Sequence, residues 1–188
     1  SLPDSYIAWM VEERYQDLLL GNPDVDEAIP LRTKVWRKNW NSKSLFEILH
    51  TIKTLRRQNF DLVLDLHGLL KSGIIARLSG APTRIGFHQK NCKEKINALF
   101  TNQKAPYMAK GLHVVDMTLT LLRTALGEVK ETKLFPLQVP GEMDEKVAHF
   151  FSRNPDLARR PIIGINPSAG FESKQWEEVR FAELADRI

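Results

Sequence analysis

Short apolar runs of strand length alternate with longer segments of helical periodicity along the whole chain. This alternation constrains the fold more than any other feature. Residues 6–11 (YIAWMV), 25–29, 61–66 (DLVLDL), 83–87 and 162–165 (IIGI) have the aromatic and β-branched character of buried strands. Between them, Leu45, Ile48, Leu49, Ile52 and Leu55 recur at helical spacing over 44–58. Further helices are predicted over 70–78, 93–100, 113–126, 143–151 and from Glu177 onward. A mixed segment over 13–20 is stopped by Gly21, Asn22 and Pro23, and Pro30 is expected to end the second strand. Residues 31–43 read as a basic, aromatic loop, 136–140 as a connection and 154–161 as a turn-rich link. Strands separated by helices imply an open, mostly parallel α/β sheet with right-handed crossovers. The turn-rich link is the best domain boundary, so the strand at 162–165 is expected to begin a second domain.

Composition acts mainly by exclusion. A hydrophobic share of 43% is enough to fill a core, which excludes global disorder. Cys92 is the single cysteine, so neither an intramolecular disulfide framework nor a cysteine-based zinc site is available. No apolar run reaches the ~18 residues of a membrane span. The first residues lack the basic-then-apolar order of a secretory signal. The chain therefore reads as soluble and cytosolic. The net charge of +4 is small, and its distribution matters more than its sum.

In open α/β sheets, ligands bind beyond the carboxyl ends of the strands, and two such ends are chemically rich. At Asp65 to Ser72 a strand enters a turn at Gly68, and Lys71 and Ser72 open the next helix. Helix N-termini suit anions, although a turn glycine and a capping serine explain the same residues structurally. The Walker pattern is absent. At Asn166 to Trp176, small residues Ser168, Ala169 and Gly170 precede Lys174. They allow the close backbone approach that a diphosphate needs, with a cation beside it. A third feature is Arg32 to Trp40, where four cations and two indoles share nine residues, with His88, Lys90, Lys93 and Lys95 further along. Such a surface can take single-stranded nucleic acid or a phosphorylated lipid or sugar at a membrane. No RNA-binding signature supports the first option. His67, His88 and His113 lie near turns, none of the histidines has metal-ligand spacing, and neither Ser72 nor Ser168 sits in a hydrolase elbow.

These features in this order resemble glycosyltransferase family 9, the ADP-heptose:lipopolysaccharide heptosyltransferases, and within it the enzymes that add the first heptose. The segments that carry the resemblance are IAWMVEERY (7–15), NPDVDEAIP (22–30), VWRKNW (35–40), FDLVLDLHGLLKSGIIARL (60–78), RIGF (84–87), KEKINALF (93–100), HVVDMTLTLL (113–122) and INPSAGFESKQWEEVRFAELA (165–185). The resemblance implies a GT-B fold, two Rossmann-like domains facing a cleft. Residues 1–158 would form the acceptor-binding domain, lacking a first strand and helix. Residues 159–188 would begin a truncated donor-binding domain. It further implies an inverting transfer of heptose from ADP-heptose to the Kdo residue of lipid A, without metal or cofactor. Lys174 would be catalytic and would join Ser168, Ala169 and Gly170 in holding the donor. Lys34, Arg37, Lys38, Lys71, Ser72 and Lys93 would hold the acceptor, although Val35 stands where an arginine is expected. The base, an aspartate in a Gly-Asp motif, is absent from residues 1–188, so those residues alone are expected to be inactive. The implied partners are an ADP-sugar, Kdo-lipid A and the cytoplasmic surface of the inner membrane, with no nucleic acid; the location is cytoplasmic and peripheral. The rival readings are another family 9 transferase, a nucleotide-sugar epimerase on the same scaffold, and a non-catalytic binding module.

Overall fold

Two all-parallel ladders carry the chain. The computed structural model describes residues 5–39, 41–128, 134, 136–139, 141–159 and 161–188; Trp40, Pro140 and residues 1–4 of the sequence reading lie outside them. Strands β1 (Ala8–Glu12) and β2 (Glu27–Leu31) pair in parallel, Ala8 opposite Glu27 and Glu12 opposite Leu31. Strands β3 (Leu62–Leu64), β4 (Thr83–Gly86) and β5 (Gln103–Lys104) form the second ladder in that order. Parallel pairing requires a crossover between successive strands. Within the first ladder the crossover is a 3-10 turn at Glu13–Leu18; helices α1 (Thr33–Lys38) and α2 (Ser42–Arg57) link the two ladders; and within the second the crossovers are α3 (Leu70–Leu78) and a 3-10 turn at Lys95–Leu99. Helices α4 (Val114–Leu126), α5 (Gly141–Arg153), α6 (Pro155–Ala158) and α7 (Glu178–Ala185) follow.

The expected parallel α/β architecture is present, with local corrections. Pro30 lies inside β2 rather than ending it, opposite Val11. Its missing N–H is tolerated because, among the described residues, β2 pairs on one side only. The expected loop at 31–43 contains α1 and the first two residues of α2. The sequence reading missed the Asn41 cap, whose side chain accepts the Ser44 N–H at 2.9 Å and starts α2 there. The turn-rich link at 154–161 holds α6, with Pro155 at its first position. The apolar run 162–165 is not a strand: it has no ladder partner among the described residues, and Ile162 and Ile163 are 66% and 58% exposed. β5, only two residues long, carries no periodicity to read.

The main core lies beneath the second ladder. Phe87, Cys92, Ala98, Ala105 and Met108 pack with Leu121 of α4, and Leu66 and Met117 close the rim. Helix α4 therefore clamps the segments following β4 and β5 onto the sheet. Its start is capped by His113, whose Nδ1 accepts the Val115 N–H at 3.3 Å, and it ends at Gly127 with φ +77°.

Candidate functional site

The carboxyl ends of β1, β2 and β3 bring residues far apart in sequence to one place. Glu12 ends β1, Thr33 follows β2, and Lys71 lies in the first turn of α3 after β3. The Lys71 Nζ reaches Glu12 Oε1 and Thr33 Oγ1, each at 3.1 Å, and the Thr33 hydroxyl also donates to Glu12. Burial pushes the Glu12 carboxyl up, but its bonds from Thr33, Lys71 and the Lys34 backbone outweigh that and hold it below its usual range. Arg32 pairs with Glu13 at 3.0 Å and reaches Glu47 of α2 at 3.6 Å. Trp36 donates its indole N–H to Glu47 at 2.9 Å. Helices α1 and α2 are thereby joined beside Lys71.

A buried hydrogen-bond network shapes the turn that presents Lys71. Asp65, 4% exposed, accepts from the backbone N–H of His67 and Gly68, from the Ser72 hydroxyl and from Asn97. Asn97 is fully buried and donates its amide to Asp65 at 2.6 Å and to the Leu69 carbonyl at 2.7 Å. Gly68 has φ +65°, and a side chain there would meet Phe87 at 3.2 Å and the Cys92 backbone at 3.3 Å, so only glycine fits. The Glu94 N–H donates to the Gly68 carbonyl at 3.0 Å, while the Glu94 carboxylate accepts the Leu70 N–H. Lys93 is consequently fixed against the same turn as Lys71. Desolvation, followed by the Lys93 and Lys71 charges, depresses the His67 imidazole below its ordinary value. Burial, with the Asp65 charge, pushes the Cys92 thiol up, which keeps it an inert part of the core.

Of the sequence-selected residues, the structure gathers Lys71, Ser72 and Lys93 into this constellation and starts α1 beside it, with Lys34 next to Thr33. Arg37 and Lys38 lie in the last turn of α1. The Ser72 hydroxyl is committed internally: its single proton is shared between Asp65 at 3.1 Å and the Leu69 carbonyl at 2.8 Å, and its oxygen accepts the Leu69 N–H. Sequence reasoning missed Glu12, Thr33, Glu94 and Asn97. Asp65 and Asn97 are 32 residues apart and no local pattern links them.

Ser168, Ala169, Gly170 and Lys174 occupy a separate, exposed stretch. The Asn166 side chain accepts from the Ser168 N–H and hydroxyl, at 3.2 and 3.1 Å. The Lys174 N–H donates to the Phe171 carbonyl at 2.9 Å, and its ammonium lies 5.5 Å from the Phe171 ring centroid. Gln175 donates to the Ala169 carbonyl at 3.1 Å. Among the described residues, every hydrogen bond made by 166–175 closes within that stretch. Among the same residues, no three His, Cys, Asp or Glu side chains are grouped to hold a metal, and no helix is long and apolar enough to cross a membrane.

Comparison with known proteins gives one consistent family. The model of glycosyltransferase family 9 (heptosyltransferase) matches residues 48–188. Lipopolysaccharide heptosyltransferase 1 of Pseudomonas aeruginosa is 27% identical over 198 residues, covering 100% of this chain and 50% of that protein. The solved structure of E. coli heptosyltransferase WaaC with ADP is 25% identical with a TM-score of 0.73, covering 99% of this chain and 56% of the other. WaaC with ADP-2-deoxy-2-fluoro heptose gives a TM-score of 0.74 at 25% identity, with coverage of 99% and 56%. The chain thus spans about half the length of these relatives.

Proposed function

The chain belongs to glycosyltransferase family 9, and from that premise we propose that the intact protein moves heptose from ADP-heptose to the Kdo residue of lipid A during assembly of the lipopolysaccharide inner core. The observation that carries this reading is the joining of Lys71, Lys93 and the start of α1 at the carboxyl ends of the first three strands. An acceptor bearing carboxylate and phosphate groups needs such cations held in fixed positions. Lys34, Arg37, Lys38, Lys71 and Lys93 take those groups, and Ser72 supports them from its internally bonded position. Residues 1–158 form the acceptor side, and 159–188 begin the donor side.

The reaction is an inverting displacement. An acceptor hydroxyl oxygen attacks the anomeric carbon, its proton passes to an aspartate outside residues 1–188, and the bond from carbon to the ADP oxygen breaks. ADP leaves with the bonding electrons. Ser168, Ala169 and Gly170 let the backbone approach the diphosphate, and Lys174 offsets the charge that grows on it in the transition state. No metal or cofactor takes part, and the protein works at the cytoplasmic face of the inner membrane without nucleic acid. The structures of WaaC with ADP and with an ADP-heptose analogue support an ADP-sugar donor.

Incubating the intact protein with ADP-heptose and Kdo-lipid A, and following ADP release together with the mass of the lipid, tests this. The expected result is one ADP released per heptose added. Transfer only from a different nucleotide sugar, or epimerised sugar without transfer, contradicts it.

A further inference from the structure

The segment that follows β4 grips three consecutive residues of the turn leading to Lys71. The Glu94 N–H donates to the Gly68 carbonyl at 3.0 Å. The Asn97 amide donates to the Leu69 carbonyl at 2.7 Å and to Asp65 at 2.6 Å. The Glu94 carboxylate accepts the N–H of Leu70, the first residue of α3. That last bond sets an anion of the protein's own at the amino end of α3. A ligand's anionic group there would meet Glu94 as well, so its recognition falls to the lysines that flank the clamp.

Lys71 directly follows the gripped Leu70, and Lys93 directly precedes the gripping Glu94. Asn97 has no room to shift: it is fully buried, and a methyl on Gly73 of α3 would lie 2.8 Å from its amide. Its side-chain oxygen accepts the Cys92 thiol at 3.5 Å. Lys71 gives two of its three N–H groups to Glu12 and Thr33, which leaves one for a ligand. Lys93 is exposed and, among the described residues, is held in no ion pair. Both ammonium charges act on the same His67 ring. Two cations at a fixed separation hold a ligand with two anionic groups better than two that move independently, because the second contact costs little further loss of freedom.

We propose that Glu94 and Asn97 are positioning residues that make Lys71 and Lys93 act as a pair, so that the site favours an acceptor carrying two anionic groups over one carrying a single group. They act through the turn at 68–70 and the two lysines it separates, without contact to the acceptor. The inference deepens the transferase reading and rests on it for the identity of the acceptor; the pairing of the lysines stands on the clamp.

The test offers the intact protein two soluble probes: a Kdo-bearing saccharide with one carboxylate and one phosphate, and the same saccharide without the phosphate. By calorimetry the wild type should bind the first about tenfold more tightly, with a similar ratio in KM. Glu94→Ala and Asn97→Ala should each reduce that preference to about threefold or less, with kcat and the donor KM at the wild-type level. Lys71→Ala should raise the KM for the first probe about tenfold in the wild-type chain, and less than about threefold in the Glu94→Ala chain. A clamp that served stability alone would leave the preference intact and the two substitutions additive. Glu94 is exposed, so Glu94→Ala decides the matter if Asn97→Ala fails to fold. If no heptose is transferred, the transferase reading fails and the calorimetric ratio still decides the pairing. The proposal is overturned if the wild type binds the two probes alike, if either folded variant keeps the wild-type preference, or if Lys71→Ala costs as much in the Glu94→Ala chain as in the wild type.

Discussion

Lys71 and Lys174 both sit where an apolar segment gives way to a helix, yet the two junctions are built differently. The turn before Lys71 is held by bonds spanning the chain: Asn97 to Asp65, Glu94 to Gly68, and Lys71 to Glu12, 59 residues away. Among the described residues, the stretch around Lys174 closes only on itself, with no bond reaching further than six residues. The difference separates a site whose geometry this fold dictates from one whose geometry is local. Buried side chains lock the first junction, whereas Phe171 and Trp176 beside Lys174 are 68% and 46% exposed.

The sharpest way to break the comparison is to remove the hydrogen-bond acceptor at the centre of each junction. Asp65→Ala strips the acceptor from four donors, among them the fully buried Asn97 amide. It should cost about 2–4 kcal/mol. Asn166→Ala removes an exposed side chain that serves only Ser168 and should stay within about 0.5 kcal/mol. Denaturant unfolding of the two variants checks this; equal losses would end the distinction. A smaller contrast comes from the glycines. An added methyl at Gly73 would lie 2.8 Å from the Asn97 amide and 3.2 Å from Phe100, whereas at Gly170 nothing lies within 4 Å. Gly73→Ala should cost about 1–3 kcal/mol by overpacking, reduced by the gain of up to ~1 kcal/mol in helix propensity. Gly170→Ala should leave the unfolding midpoint unchanged. A destabilised Gly170 variant would show packing there that the comparison denies.

Acidification gives the smallest effect. The folded chain holds His67 below its ordinary value, first by desolvation and then through Lys93 and Lys71. The unfolded chain therefore takes up that proton first, near ~6.5. The associated stability is present above that pH and lost as the pH falls through it. The Glu12 carboxylate, held low, adds a contribution that disappears at more acid pH, as the pH drops through its folded pKa. His67→Asn should flatten the slope of stability against pH between about 7 and 5, measured by denaturant titration at several pH values. An unchanged slope would mean that neither burial nor the two lysines depress the ring.

Much of the first junction was legible in the sequence because it is written locally. The strand at 61–66, the Gly68 turn and the helix at 70–78 follow from periodicity and a positive-φ glycine, and they place Lys71 and Ser72 correctly on α3. What the sequence did not disclose is what Ser72 faces. Its hydroxyl turns inward because Asp65 and the Leu69 backbone surround it, and Asp65 is there because Asn97 returns from the next crossover. Contacts across 32 residues leave no spacing to read. The run at 162–165 shows the converse. Four residues of strand composition do not make a strand without a neighbour to pair with, and composition alone cannot supply the neighbour.

The division of labour between the two lysines is the centre of the account, and steady-state kinetics of the intact protein test it directly. Lys71→Ala and Lys174→Ala are each measured against varied ADP-heptose and varied Kdo-lipid A. Lys71→Ala should raise the acceptor KM about tenfold and leave the donor KM unchanged, as expected for a lost charge-assisted contact of 1.5–3 kcal/mol or about that size. Lys174→Ala should lower kcat about a hundredfold, as for a lost electrostatic contact to the leaving group, with the acceptor KM unchanged. If the two variants affect donor and acceptor alike, or if Lys174→Ala turns over at the wild-type rate, the assignment of acceptor and donor sides is wrong.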